Sequence, residues 1–162
     1  FDRPTLTIDD VVLIDEGRQE AGKRPSRSVR LHEAIYRRHP VVQCIITAQA
    51  PSVTAYAVAD RLLDTKTIPE SYVMLLDVPK LDYGLHFTAP DEVADKISDR
   101  NPVVLLQNDG VLVVGSTVLR AFDRLEVAEF TARSLIETAS IGDLVPIDDD
   151  EIRALEERFN LV

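Results

Sequence analysis

A chain of 162 residues, 45% hydrophobic and 28% charged, can bury one sizeable core and has the composition of a folded globular domain. Its formal charge of -10 repels phosphate backbones and anionic lipid, which argues against nucleic acid or a membrane surface as partner. The single cysteine, Cys44, excludes an intrachain disulfide; with no targeting pattern and no apolar run near the roughly 20 residues of a membrane span, a cytoplasmic location is expected.

Thr7 and Asp10 form a capping-box-like pair, with Asp in the usual place of Glu, at the head of a short turn. Val11 to Ile14 reads as a strand, closed by the polar turn Asp15-Glu16-Gly17, and Gly22 to Ser26 reads as loop. From Ser28 to Arg38, Leu31, Ala34 and Ile35 recur at helical spacing until Pro40 ends the helix. The β-branched content of Val41 to Thr47 predicts a buried strand. Pro51 and Ser52 open a second helix to about Leu63, with Ser52 as its cap.

Tyr72 to Leu76 reads as another strand, followed by a loop through Pro79, Tyr83 and Gly84. Thr88-Ala-Pro-Asp91 supplies a cap and a first-turn proline for a short helix to Ser98. Val103 to Leu106 and Val111 to Val114 flank Gln107-Asn108-Asp109-Gly110, a strong hairpin signal. Ser116 then caps the longest helix, which runs to about Ser140 and stops at Gly142. Its apolar face comprises Val118, Phe122, Leu125, Ala128, Ala132, Leu135 and Ile136. Asp148, Asp149 and Asp150 favour the start of a last helix through Phe159. This order predicts a single α/β domain over residues 1–162, with a central, mostly antiparallel sheet and helices on its faces.

The chemical motifs are sparse. No glycine-rich phosphate loop, paired Cys-x-x-Cys or His-x-His occurs. His32 lies within a helix and His39 at a helix end, both ordinary structural places. His86 falls in a loop near Tyr83, where sites concentrate, although packing is the more ordinary role.

Two segments point further. Pro25-Ser-Arg-Ser-Val-Arg-Leu-His-Glu-Ala-Ile-Tyr36, with Arg37-Arg-His-Pro40 and Cys44-Ile-Ile-Thr-Ala-Gln-Ala-Pro51, is one. Leu105-Leu-Gln-Asn-Asp-Gly-Val-Leu-Val-Val-Gly115, with Ala121-Phe-Asp-Arg-Leu-Glu126, is the other. Together with Ile68-Pro69 and Leu75-Leu-Asp-Val-Pro79, they resemble the ordered blocks of the class II aldolase/adducin family over about residues 5 to 142. The resemblance implies a three-layer α/β/α fold. It also implies a reaction through an enediolate, in which zinc on three histidines polarises a ketose carbonyl and a glutamate moves the proton.

Aligned on those blocks, Ser28 stands where the active members carry the glutamate, Thr47 and Gln49 stand on His-x-His, and Asp109 on the histidine of Asn-His-Gly. Zinc favours nitrogen and thiolate donors, so no metal or other cofactor is expected here, and Ser28 and Asp109 are expected to be inactive. A structural alternative has Thr47, Gln49 and Asp109 hydrogen-bonding one another, with Asp109 serving its Asp-Gly turn. Asn108, Gly110, Tyr72, Tyr83 and His86 complete the candidate ligand pocket.

The leading expectation is a diverged, non-catalytic assembly or ligand-binding domain. The alternative is a lyase or epimerase acting on a sugar phosphate, with Asp109 as its acid/base. By resemblance, a homo-oligomer (a tetramer in the family) is expected. The family's Gly-Asn-x-Ser segment does not precede Thr7, so a second chain or cleaved piece supplying it is a further expected partner.

Overall fold

A computed structural model describes residues 7–15 and 17–161. After a 3-10 turn over Ile8–Asp10, in which the Thr7 N–H donates to Asp10 Oδ2 at 2.8 Å, the chain forms a minimal hairpin of β1 (Ile14–Asp15) and β2 (Arg18–Gln19). The strand expected over Val11 to Ile14 is thus reduced to its last residue and Asp15. Val11 and Leu13 are largely exposed, with no sheet to pack against.

Helix α1 (Val29–Arg38) and strand β3 (Cys44–Ala48) follow, with Pro40 in the turn between them. Helix α2 (Pro51–Val58) is shorter than its composition predicts. Ala59 turns to extended backbone after it, and the Lys80 ammonium donates to the carbonyls of Ala59 and Arg61 at 2.6 Å each. Of Tyr72 to Leu76, expected as a strand, Tyr72 to Leu75 belong instead to α3 (Pro69–Leu75), and Leu76 is its C-cap. Pro69 in its first turn and Glu70 beside it are helix-start features, and Ser71, Tyr72 and Leu75 form its buried stripe. The short β4 (Lys80–Leu81), α4 (Leu85–Thr88) and α5 (Pro90–Lys96) lead into strands β5 (Val103–Leu106) and β6 (Gly110–Gly115). Ala89, rather than Thr88, occupies the cap position of α5.

The long α6 (Val118–Thr138) begins at Thr117 rather than Ser116, the Thr117 hydroxyl accepting from the Arg120 N–H at 3.0 Å. Helix α7 (Asp149–Phe159) starts as the acidic run requires. Asp148 Oδ1 accepts from the N–H groups of Asp150 and Glu151.

The main sheet has four strands in the order β3-β6-β5-β4; only the β4–β5 pair is parallel. Both faces of β5 and β6 are buried, so their continuous apolar runs replace the alternation of a half-solvated strand. On one face Leu31, Ala34 and Ile35 of α1 and Val93 and Ala94 of α5 pack on Val104, Leu106, Leu112 and Val114. On the other, Val53 and Ala57 of α2 and Ala121, Ala128, Ala132 and Leu135 of α6 cover Val103, Leu105, Val111 and Val113. The result is a three-layer α/β/α domain with a mostly antiparallel sheet. Small residues let α6 approach closely: a Cβ at Gly115 would meet the Ala121 nitrogen at 2.5 Å.

Ser52 is not the cap of α2; Ala50 takes that position without a side-chain bond. The exposed amides are instead satisfied across the fold by Glu129 of α6, whose Oε2 accepts from the N–H groups of Ser52 and Val53 at 2.9 Å. Burial raises the Glu129 pKa, but the amide bonds and nearby Arg133 outweigh it, so the carboxyl titrates below its ordinary value. A depressed folded-state pKa contributes stability that is complete above the unfolded glutamate value and lost as pH falls through the folded one. Glu129→Gln should therefore lower stability by about 1–2 kcal/mol at neutral pH. Urea titrations should show that this deficit shrinks below the ordinary glutamate range.

Candidate functional site

The β5–β6 hairpin turns through three residues, since Leu106 pairs with Gly110. Asn108 takes the left-handed conformation (φ 55°), and its N–H donates to the Ala57 carbonyl at 3.1 Å. Asp109 closes the turn, its N–H donating to the Leu106 carbonyl at 3.0 Å, and its carboxylate also accepts a bond from Gln49.

Thr47 on β3 and Gln49 just beyond it are two residues apart on extended backbone, which directs their side chains alike. Both line, with Asp109 and Gly110, a small cleft of about 110 Å³. Gln49 Nε2 donates to Asp109 Oδ1 at 3.3 Å. From α4, His86 brings Nε2 to 3.0 Å from Asp109 Oδ2. That separation is within ion-pair range, yet neither ring nitrogen has an aligned hydrogen-bond partner among the described residues. His86 is only 6% exposed, and its ring lies 3.9 Å from that of Phe87, over which Arg27 sits.

Gly110 is fixed by space rather than by dihedral angle. A Cβ there would stand 2.3 Å from the Ala48 carbonyl oxygen, because β6 runs against β3 at that point. Tyr83 is exposed, but its N–H donates to Gln107 Oε1 at 3.1 Å, tying the loop before α4 to the hairpin. The structure thus gathers Thr47, Gln49, His86, Asn108, Asp109, Gly110 and the Tyr83 backbone at one end of the sheet.

Two expected residues have other engagements. Ser28 precedes α1 and its hydroxyl lies 3.0 Å from that of Ser26; no hydrogen bond joins it to Gln49 or Asp109. Tyr72 is buried at the contact of α3 with α7, by the start of β5. Its hydroxyl donates to Glu156 Oε1 at 2.6 Å, and Arg100 Nη1 reaches the same oxygen at 2.7 Å. Tyr72 is therefore an anchor for the last helix rather than a pocket residue. Desolvation, then the Glu156 bond, raises its phenol above the ordinary value. Sequence reading placed Gln107 in the hairpin turn without assigning its side chain, which secures the loop, and missed Glu129, which lies in no recognisable motif.

Among the described residues no cluster of three or more His, Cys, Asp or Glu side chains is placed to hold a metal ion, and no helix is long and apolar enough to cross a membrane.

Residues 2–136 match the Class II Aldolase and Adducin N-terminal domain family. The chain is 29% identical over 129 residues to an L-fuculose phosphate aldolase of Methanococcus vannielii, covering 79% of this chain and 70% of the relative. It is 28% identical over 159 residues to a 3-oxo-tetronate 4-phosphate decarboxylase of Haemophilus influenzae, covering 94% and 75%. The crystal structure of YgbL from Klebsiella pneumoniae superposes with a TM-score of 0.71 at 27% identity, over 89% of this chain and 72% of that one. The layered sheet, the ordered sequence blocks and the family match together establish that this chain belongs to the class II aldolase and adducin family.

Proposed function

We propose that this protein is a diverged class II aldolase relative that does not carry out zinc-assisted aldol chemistry and serves as a ligand-binding or assembly domain. The observation that carries this reading is the state of Asp109. Its carboxylate, at a position of the family's metal histidines, is engaged by Gln49 on one oxygen and approached by His86 on the other. The donors at the cleft are one hydroxyl, one amide, one carboxylate and one imidazole. That set does not fit zinc, which favours three or four nitrogen or thiolate ligands in tight tetrahedral array. Ser28 offers no group able to accept a proton at neutral pH in place of the family's glutamate.

Assembly is supported by the outer surface of α6. Val118, Phe122 and Ile136, expected from their spacing to face the core, are instead exposed, as is Phe130. Such apolar surface at the end and outer side of one helix suits a homo-oligomeric contact. Among the described residues β3 is an edge strand, which suits contact with a second chain.

One observation favours a second reading. His86 Nε2 stands 3.0 Å from Asp109 Oδ2, a separation at which reorienting the ring would make a proton-relay pair, and such a pair would serve a metal-independent lyase or epimerase on a sugar phosphate. Incubation with L-fuculose 1-phosphate and zinc, followed by a coupled assay for the three-carbon phosphate product, separates the readings. The expected result is no turnover above background with zinc or with chelator. Zinc-dependent cleavage contradicts the proposal, and chelator-resistant cleavage selects the second reading.

A further inference from the structure

At the opposite end of the sheet from Asp109, where β6 passes into α6, a cavity of about 610 Å³ opens between α1, the start of β5 and the head of α6. Two of the basic side chains around it are already committed: Arg38 pairs with Asp95, and His39 Nε2 lies 2.8 Å from the Ala94 carbonyl. Arg120 and Arg124 are different. They stand one turn apart on α6, so both reach the same wall.

Among the described residues the Arg120 guanidinium makes one hydrogen bond, from Nη1 to the Met74 sulfur at 3.1 Å. Arg124 Nη1 donates to the Val114 carbonyl at 2.6 Å, while its Nε is buried with no partner. Among the described residues neither guanidinium forms an ion pair; the one acid on the lining, Asp99, is exposed. Desolvation, followed by repulsion from Arg120, pushes Arg124 down to about 10, and attraction from exposed Asp99 only partly opposes this. In a chain of net charge -10, two neighbouring arginines on one cavity wall make a local reversal of charge. The head of α6 carries partial positive charge as well; there the Thr117 hydroxyl accepts the Arg120 N–H and the Thr117 carbonyl accepts that of Ala121.

We propose that this cavity binds a small phosphorylated molecule, whose phosphate oxygens take the free donors of Arg120 and Arg124 at the head of α6. A phosphate dianion matches two guanidinium charges, and forked donors suit its oxygens. The volume exceeds that of one phosphate and falls within the roughly 300–1,000 Å³ of small-molecule sites, leaving room for the rest of the ligand. Lying at the far end of the sheet, the site stands or falls independently of the cleft at Asp109.

Inorganic phosphate and pyrophosphate, titrated into the full chain at ionic strength held constant with chloride, test this by calorimetry and thermal melting. Saturable binding with a concentration-dependent rise in Tm is expected. Arg120→Gln should weaken it roughly ten- to hundredfold. Because Arg124 also holds the Val114 carbonyl, Arg120→Gln is the deciding variant and Arg124→Gln the supporting one. No saturable binding, an equal Tm rise with chloride alone, or undiminished affinity in Arg120→Gln would overturn the proposal.

Discussion

Alanine at position 110 is expected to destabilise the protein by roughly 3 kcal/mol or more, the upper range for overpacking a close-packed interior. The added Cβ would stand 2.3 Å from the Ala48 carbonyl oxygen and 3.2 Å from its carbon, both backbone atoms held in the β3–β6 ladder. Relief requires β3 or the hairpin to shift. Either movement also separates Gln49 from Asp109, so the change should disturb the cleft along with the fold. Gly142→Ala is the matching control: nothing lies within 4 Å of its Cβ position, and its stability should be nearly unchanged. Equilibrium urea unfolding of the two variants reads the difference directly. Equal midpoints would mean that β3 yields at Ala48 without cost.

The second large effect is a gain. Ser28→Glu, Thr47→His, Gln49→His and Asp109→His, made together, are expected to give the protein zinc affinity in the submicromolar range, equivalent to more than about 8 kcal/mol of binding. Thr47 and Gln49 already face the same small cleft as Asp109, and the Gln49–Asp109 bond shows that side chains from β3 and the hairpin meet there. Three imidazoles at these positions would converge without movement of the strands. Competition with a chromophoric chelator measures the affinity. A folded variant without zinc binding would mean that the cleft has been reshaped beyond its side chains.

Local signals in the sequence marked much of this architecture. The β5–β6 hairpin, α1 and α7 follow from the Asp-Gly dipeptide, helical spacing and the acidic cap at Asp148. The errors have local physical causes. The Tyr72 to Leu76 run has strand-like composition, but Pro69 and the stripe of Ser71, Tyr72 and Leu75 place it in a helix. On α6 the expected face holds at Ala128, Ala132 and Leu135, which pack on the sheet with Ala121, whereas Val118, Phe122 and Ile136 of the same set are exposed. At the cleft, Thr47, Gln49 and Asp109 could be grouped by resemblance alone. The approach of His86 from α4, and the departure of Tyr72 to the α7 contact, depend on tertiary placement that no short spacing encodes. Glu129 is the same kind of case, a cap supplied 77 residues from the amide it serves.

The central claim is that the Asp109 cleft has exchanged metal coordination for bonds among its own side chains. Zinc titration of the natural, metal-stripped chain, with bound metal counted after gel filtration, tests it most directly. The account predicts no retained zinc and no saturable uptake in the micromolar range. One zinc per chain, retained through gel filtration and lost when Asp109 is changed to alanine, would contradict it.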